Sequence, residues 1–172
     1  MDVIGSDKGF SPVGSTGPRR LYFAYGSNLH KAQMRDRCRD AVPVTTARLP
    51  DWRLVFRGRA GKTGVASIEP CPGAHVMGAL WELSDADVAS LDRYEGYPGF
   101  YGRKRVEVQT QQGPVVALVY LLQPGYGPAM PHPEYFEVIL RGYRDWGLDP
   151  APLEEARRRT AAEISPDPSP AG

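Results

Sequence analysis

The sequence predicts a single α+β domain in which short strands alternate with a few helices. Residues of the apolar class make up 41% of the chain and aromatic residues 10%, which is enough to build a core. Six runs suited to a pleated sheet are separated by turn residues, and four segments have a helical pattern. The 172 residues fit one domain, and the 19 glycines and 17 prolines indicate many turns within it.

The strand candidates share apolar or alternating side chains bounded by turn residues. They are residues 21–24, 47–56, 64–68, 75–83, 101–110 and 114–122. Pro50 is expected to bend the second of them. Gln111, Gln112 and Gly113 join the last two, which is a hairpin signal.

Helices are predicted to begin at Leu29, Ser84, Pro133 and Pro152. Asn28 is expected to cap the first of them. The second has the strongest start, because Ser84 can accept the backbone N–H of Asp87 while acidic residues in the first turn complement the helix dipole.

Both ends of the chain differ in composition from the middle. Residues 1–19 and 164–172 are rich in glycine, serine and proline and hold few apolar residues, so we expect mobile tails around a domain at residues 20–163. No secretion signal is visible, and no apolar run reaches the roughly 20 residues that cross a bilayer. A cytoplasmic location is therefore expected.

The charge balance limits the classes of partner that the chain is expected to bind. Lys and Arg number 21 against 20 Asp and Glu, a net charge of +1, so nucleic acid and anionic membranes are not expected as partners. Cys38 and Cys71 provide no disulfide framework, and the scattered histidines give no metal-ligand spacing. The sequence therefore gives no reason to expect nucleic acid, an anionic membrane or a metal ion as a partner.

The most informative segment is the turn that follows the first strand. Leu21 to Ala24 run into Tyr25-Gly26-Ser27-Asn28 and then into a helix, which exposes backbone N–H groups at a helix start. Such a turn stabilises an anion or a developing oxyanion, and Gly26 allows close approach of a ligand. A well-capped turn without a ligand is the alternative interpretation.

Glu95 is the candidate general base. It ends an amphipathic helix immediately before Gly96 and is followed closely by Tyr97, Phe100 and Tyr101. A helix C-terminus and aromatic surroundings both disfavour the carboxylate and so raise its pKa. A solvated glutamate beside a glycine helix stop is the alternative.

A third candidate is Tyr126, which stands between two glycines in the loop from Gln123 to Pro131. It is placed to reach over a pocket, although packing on the surface would explain it equally.

Taken together, these segments resemble the γ-glutamylcyclotransferase family. The signature reads LYFAYGSNL from Leu21 to Leu29, and the likeness continues through ARLPDWRLVF, GVASIEP, VMGALWELSDADVASLDRYEG, YGRKRVEVQ and the segment from Gln123 to Trp146. The resemblance implies a small mixed β-barrel or strongly curved sheet of about six strands flanked by helices. It also implies an enzyme, a cyclising acyltransferase or lyase, that releases 5-oxoproline from a γ-glutamyl substrate without metal or nucleotide.

The resemblance also assigns roles to residues by matched position. It makes Glu95 the catalytic residue, acting as base and then as acid. The substrate-binding residues that it implies are Tyr22, Phe23, Ala24, Tyr25, Gly26, Ser27, Asn28, Tyr101 and Tyr126.

Two other functions stay open. One is removal of a γ-glutamyl protecting group from a larger amine during natural-product assembly, which the composition, typical of a GC-rich bacterial genome, makes a reasonable alternative. The other is a non-catalytic module of the same fold that binds a small metabolite. The chain is expected to be a monomer or a homodimer.

Overall fold

A closed five-stranded barrel forms the centre of the structure, a computed structural model that describes residues 17–166. Neighbouring strands follow the order β3, β1, β5, β4, β2, and β2 pairs with β3 to close the ring. The bounds are β1 Arg20–Ala24, β2 Val42–Gly58, β3 Val65–Leu83, β4 Tyr101–Thr110 and β5 Gly113–Leu122. A short sixth strand, β6 Gly127–Pro128, pairs with the end of β2.

The barrel is mixed, as predicted. β1 runs antiparallel to β3 and parallel to β5, whereas every other strand pairing is antiparallel. The expected hairpin joins β4 and β5, and Gly113 has the left-handed φ of 111° that its turn requires. The α+β prediction and the predicted barrel are confirmed.

One strand prediction is wrong, because two of the predicted strands are parts of one strand. Residues 65–68 and 75–83 belong to the single strand β3, because the segment between them contains a bulge rather than a break. Pairing with β2 passes directly from Trp52–Pro70 to Pro50–His75, so Asp51 alone faces residues 71–74. The Asp51 carboxylate accepts the N–H of Gly73 at 3.0 Å, which satisfies the bulged backbone. β2 is likewise longer than the predicted 47–56.

Four helices flank the barrel: α1 Lys31–Arg37, α2 Asp85–Glu95, α3 Pro133–Trp146 and α4 Ala151–Ile164. Ser84 caps α2 as predicted, and its hydroxyl accepts from Asp87 N while the Asp87 carboxylate accepts from Ser84 N. Over residues 17–166, none of these helices has the length and apolar composition needed to cross a bilayer. The predicted tails fall mainly outside the described residues, but Ile164 belongs to α4.

The predicted start of the first helix is wrong. Ser27–Leu29 form a 3₁₀ turn, and α1 begins after His30, which makes no side-chain cap. Asn28 is buried and its side chain is committed to other polar groups, so it cannot cap the helix. Tertiary hydrogen bonds have replaced the local one.

Helix α3 fixes the 3₁₀ turn from outside the barrel. Gly142 of α3 packs against the backbone of Leu29 and His30, and Trp146 Nε1 donates to the carbonyl of Leu29 at 2.9 Å. The Trp146 ring also packs edge-on against the fully buried Trp81 of β3, with centroids 5.5 Å apart. The turn is thereby held between α3 and the barrel.

Because this contact requires the absence of a side chain, Gly142→Ala should destabilise the protein. A Cβ at Gly142 would lie 2.6 Å from the Cβ of Leu29 and 2.7 Å from the backbone N of His30. Overpacking of this kind costs about 1–3 kcal/mol, of which alanine's helix preference returns about 1 kcal/mol. Since backbone atoms at under 3.0 Å cannot move aside, the cost lies at the upper end of that range, and we expect a net loss of about 2 kcal/mol, measured by urea denaturation.

Gly127→Ala is the matched control. A Cβ there meets nothing within 4 Å and φ is not left-handed, so its effect should stay within about 0.5 kcal/mol. A Gly142→Ala protein as stable as the parent would contradict the tight packing of α3 on the turn.

Candidate active site

A cavity of about 220 Å³ lies where β1 ends. It is bounded by the turn after β1, the start of β3, the last residues of α2, the start of β4, and single tyrosines from β5 and α3. The lining residues are Tyr22, Tyr25, Gly26, Ser27, Asn28, Val65, Ala66, Tyr94, Glu95, Phe100, Tyr101, Tyr120 and Tyr135. The cavity is therefore aromatic, with one carboxyl group.

Most of the site residues predicted from the sequence meet in this cavity. Those that line it are Tyr22, Tyr25, Gly26, Ser27, Asn28, Glu95 and Tyr101. Phe23 does not, because neighbouring side chains of a strand point to opposite faces and its buried ring packs at Gly78. Ala24 is buried in the core. Tyr126 lies behind Phe100, with ring centroids 5.2 Å apart, and does not line the cavity.

Glu95 supplies the acid–base group of the cavity. It is the last residue of α2, and its Oε1 accepts from Asn28 Nδ2 at 3.3 Å. Removal from water raises the pKa of Glu95 to about 7, although the charge of Arg37 and the hydrogen bond from Asn28 act in the opposite direction. Near neutral pH the group is therefore present in both protonation states, so it can accept and return a proton.

Asn28 connects the turn to Glu95 and Tyr22. Its Nδ2 also donates to the hydroxyl oxygen of Tyr22 at 3.0 Å, and the residue is only 3% exposed. Burial raises the pKa of Tyr22 well above its ordinary value, so its hydroxyl stays protonated. Since this oxygen accepts from Asn28, the Tyr22 proton can be donated elsewhere, including to a bound ligand.

The 3₁₀ turn offers backbone donors. Leu29 N donates to Gly26 O at 3.0 Å and His30 N to Ser27 O at 3.1 Å. The N–H groups of Ser27 and Asn28 therefore have no acceptor inside the turn itself. Both residues line the cavity, so an anionic group bound there can accept from them.

Two further tyrosines are anchored on Ala66 of β3. Tyr101 donates its hydroxyl to Ala66 O at 2.8 Å, whereas the Tyr135 hydroxyl accepts from Ala66 N at 2.9 Å. Burial raises the pKa of both hydroxyls, so both stay protonated. Tyr135 accepts at Ala66 and thus retains a proton with which it can donate to a ligand.

Four polar side chains of this region were not predicted from the sequence. Tyr94, Tyr120 and Tyr135 line the cavity, and Arg37 donates to Ser27 and Asn28 from outside it. Tyr135 stands in the first turn of a helix with a strong apolar face, a pattern that indicates core packing rather than a site. Tyr94 carried a usable signal, because it immediately precedes Glu95.

Neither Cys38 nor Cys71 lines the cavity. Cys38 is buried, and burial raises the pKa of its thiol to about 12, so it is not a thiolate near neutral pH. Between residues 17 and 166 the structure has no group of three or more His, Cys, Asp or Glu residues arranged to hold a metal ion.

The raised pKa of Glu95 predicts a pH-dependent effect on stability. Between pH 4.5 and 7 the folded protein keeps a proton on Glu95 that the unfolded chain releases, so stability falls as the pH rises through this window. Glu95→Gln carries no charge to desolvate and escapes this loss. Its advantage in unfolding free energy over the parent should be about 1–3 kcal/mol larger at pH 8 than at pH 5, measured by urea denaturation.

Glu107→Gln provides the control, because Glu107 is an exposed glutamate on β4. Its stability difference from the parent should be the same at both pH values. An equally flat difference for Glu95→Gln would show that the Glu95 carboxylate is not desolvated.

Comparison with known proteins places this chain in a family. A family model described as "Gamma-glutamyl cyclotransferase, AIG2-like" matches residues 22–146. The chain is 37% identical to the human protein named Gamma-glutamylcyclotransferase over 158 residues, covering 86% of this chain and 82% of the relative. It is 36% identical to the Bos taurus protein of the same name, covering 83% and 78%.

Solved structures agree with the sequence comparison. One named "Gamma-glutamyl cyclotransferase" superimposes with a TM-score of 0.72 at 34% identity, covering 90% of this chain and 93% of that one. A second, from Homo sapiens, gives a TM-score of 0.71 at 35% identity, covering 89% and 92%. The resemblance drawn from the sequence is confirmed: the chain belongs to the gamma-glutamyl cyclotransferase, AIG2-like family.

Proposed function

We propose that this chain is a γ-glutamylcyclotransferase that releases 5-oxoproline and a free amine or amino acid from a small γ-glutamyl substrate. The observation that carries the proposal is the position of Glu95, a carboxyl group whose pKa is about 7, in the same small cavity as the backbone donors of the turn after β1. The name carried by the relatives supports it.

The substrate contains its own nucleophile in this reaction. The α-amine attacks the γ-carbonyl carbon, so a C–N bond forms within a five-membered ring and the bond from that carbon to the leaving nitrogen breaks. A proton leaves the α-amine and another reaches the departing amine. The enzyme must hold the chain folded, move the proton and stabilise the tetrahedral oxyanion.

Glu95 performs both proton transfers in our proposal. Its carboxylate accepts a proton from the α-amine as the ring forms, and the resulting carboxylic acid returns a proton to the leaving nitrogen. A pKa near the working pH suits both steps, because neither protonation state is then strongly disfavoured.

Neutral donors hold the acidic end of the substrate. The residues that line the cavity, all within the described part of the chain, include no lysine, arginine or histidine. The α-carboxylate and the oxyanion must therefore be met by the N–H groups of Ser27 and Asn28 and by the hydroxyls of Tyr22 and Tyr135.

The other predicted site residues take supporting roles in this proposal. Tyr25 donates its hydroxyl to Tyr120 O at 2.6 Å, so it secures the turn to β5. Phe23 and Ala24 anchor the strand that delivers the turn. Tyr126 packs edge-on against Phe100, which lines the cavity, and so supports that part of its wall.

A cytoplasmic location, a bacterial source and a monomeric or dimeric state stay predictions. The Arg, Pro and Ala content supports a bacterial source, whereas the curated relatives come from mammals.

Loss of the Glu95 carboxylate should abolish most activity without unfolding the protein. We expect Glu95→Gln to lower kcat/KM by about a hundred- to ten-thousand-fold, the usual contribution of a positioned general base. The assay follows 5-oxoproline release from a panel of γ-glutamyl dipeptides and γ-glutamyl amines. Glu107→Gln, which removes an exposed carboxylate, should retain parental activity.

The same panel tests the alternatives. Turnover restricted to large γ-glutamyl amines would indicate a deprotecting enzyme of natural-product assembly with the same chemistry. Binding of γ-glutamyl compounds without any 5-oxoproline would contradict the proposal and indicate a binding module. Full activity in Glu95→Gln would overturn the role given to that residue.

A further inference from the structure

We propose that Arg37 is the positioning residue of this site: it fixes the orientation of the Asn28 amide and thereby places the Glu95 carboxyl group for proton transfer. This inference rests on the proposed function for its kinetic consequences. Its structural basis, the bonding of one guanidinium to both halves of the site, does not depend on that function.

The guanidinium of Arg37 is held on several sides. One terminal nitrogen donates to Ser27 Oγ at 3.3 Å and to Asn28 Oδ1, and the other donates to Gln33 Oε1 at 2.8 Å. Its central carbon lies 3.7 Å from the centroid of the Tyr94 ring. Arg37 is the last residue of α1 and does not line the cavity, so it acts on the site from behind.

These contacts determine which way the Asn28 amide points. A guanidinium only donates hydrogen bonds, so the Asn28 atom facing it must be the carbonyl oxygen. The amide nitrogen must then face the opposite way, toward Tyr22 and Glu95, to which it donates. Arg37 therefore sets the polarity of the hydrogen bond that reaches Glu95.

The reversed amide would harm the site. Without Arg37, a flipped Asn28 would place its carbonyl oxygen against the Glu95 carboxylate, where two acceptors repel. Asn28 is only 3% exposed, so water is poorly placed to compensate for the lost partner. The guanidinium thus selects the one amide orientation that supports an ionised Glu95.

Arg37 also joins the two segments that must meet for catalysis. Ser27 and Asn28 belong to the turn after β1, whereas Tyr94 immediately precedes Glu95 at the end of α2. Contacts to the turn and stacking on Tyr94 tie these segments through one rigid planar group. Lysine cannot reproduce this, since its ammonium lacks the planar fork and the stacking surface.

The positive charge of Arg37 favours the ionised form of Glu95, as the hydrogen bond from Asn28 does. Other titratable groups that surround Glu95 come from β1 and its turn, α2, β4, β5 and α3: Tyr22, Tyr25, Tyr94, Tyr101, Tyr120 and Tyr135. Arg37 is the cation that lowers the pKa of Glu95 against the effect of burial. Its removal should therefore raise that pKa further.

The test compares Arg37→Met and Arg37→Lys, with Arg35→Met as the matched control from the exposed side of α1. Two measurements are made: the pH profiles of kcat and kcat/KM for 5-oxoproline release, and the carboxyl titration of Glu95 by ¹³C NMR. The NMR measurement needs no substrate and so remains informative if the proposed function is wrong.

Arg37→Met removes both the positive charge and the planar guanidinium group. We expect kcat/KM at pH 7 to fall about a hundred-fold, the scale of a misplaced catalytic group, and both the acidic limb and the Glu95 titration to move to higher pH. Arg37→Lys keeps the charge, so its titration should stay close to that of the parent while kcat falls by about ten-fold. Arg35→Met should match the parent in both measurements.

The outcomes separate the two proposals. Parental kcat and an unmoved Glu95 titration in both Arg37 variants would overturn the positioning role while leaving the cyclotransferase proposal intact. An equal effect from Arg35→Met would also overturn it, because net charge alone would then explain the change. If Arg37→Met does not fold, Arg37→Lys decides by its kcat. A parent protein that releases no 5-oxoproline defeats the proposed function, and the Arg37→Met titration still decides for or against Arg37.

Discussion

The insertion of β1 into the barrel is the constraint on which the rest of the structure depends. This five-residue strand pairs with β3 on one side and β5 on the other, and three of its five residues are buried. Because it ends inside the sheet, the chain must turn sharply there. Gly26 and the 3₁₀ turn make that change of direction, and their backbone donors face the cavity that the neighbouring elements enclose.

The position of β1 also explains how polar side chains meet in the cavity. Strand alternation directs Phe23 into the packing at Gly78 and Tyr22 to the cavity face. The end of α2, packed against the barrel, brings Glu95 to the same place. A carboxyl group so enclosed loses hydration, which raises its pKa, and the hydrogen bond from Asn28 limits that rise. Burial of Glu95 is energetically costly, but it also brings the pKa of the carboxyl group into the range that proton transfer near neutral pH requires.

Support for the site comes from outside the cavity as much as from its walls. Helix α3 packs Gly142 and Trp146 against Leu29, and the guanidinium of Arg37 holds Ser27 and Asn28. Tyr101 and Tyr135 are hydrogen-bonded to Ala66, which fixes the position of both hydroxyl groups in the cavity wall. Each of these contacts fixes backbone or amide direction, so the site is pre-organised before a ligand enters.

Local sequence determined those features that depend on neighbouring residues. Four features are set within a few positions of the chain, and the structure has them where the sequence predicts them: the N-cap at Ser84, the hairpin at Gly113, the turn after β1 and the place of Glu95 at a helix end. The family likeness was readable for the same reason, because its signature is a short continuous motif from Leu21 to Leu29.

Only the tertiary structure decided which residues far apart in the sequence become hydrogen-bond partners. Asn28 has the residue type of a helix cap, but Tyr22, Arg37 and Glu95 compete successfully for its amide once burial removes water from it. Tyr135 reaches the cavity from 69 positions beyond Ala66. The sequence pattern separates residues 64–68 from 75–83, yet β2 supplies enough pairing on both sides of the bulge to continue the strand. Hydrogen-bond partners far apart in the chain exist only after folding, so no local pattern encodes them.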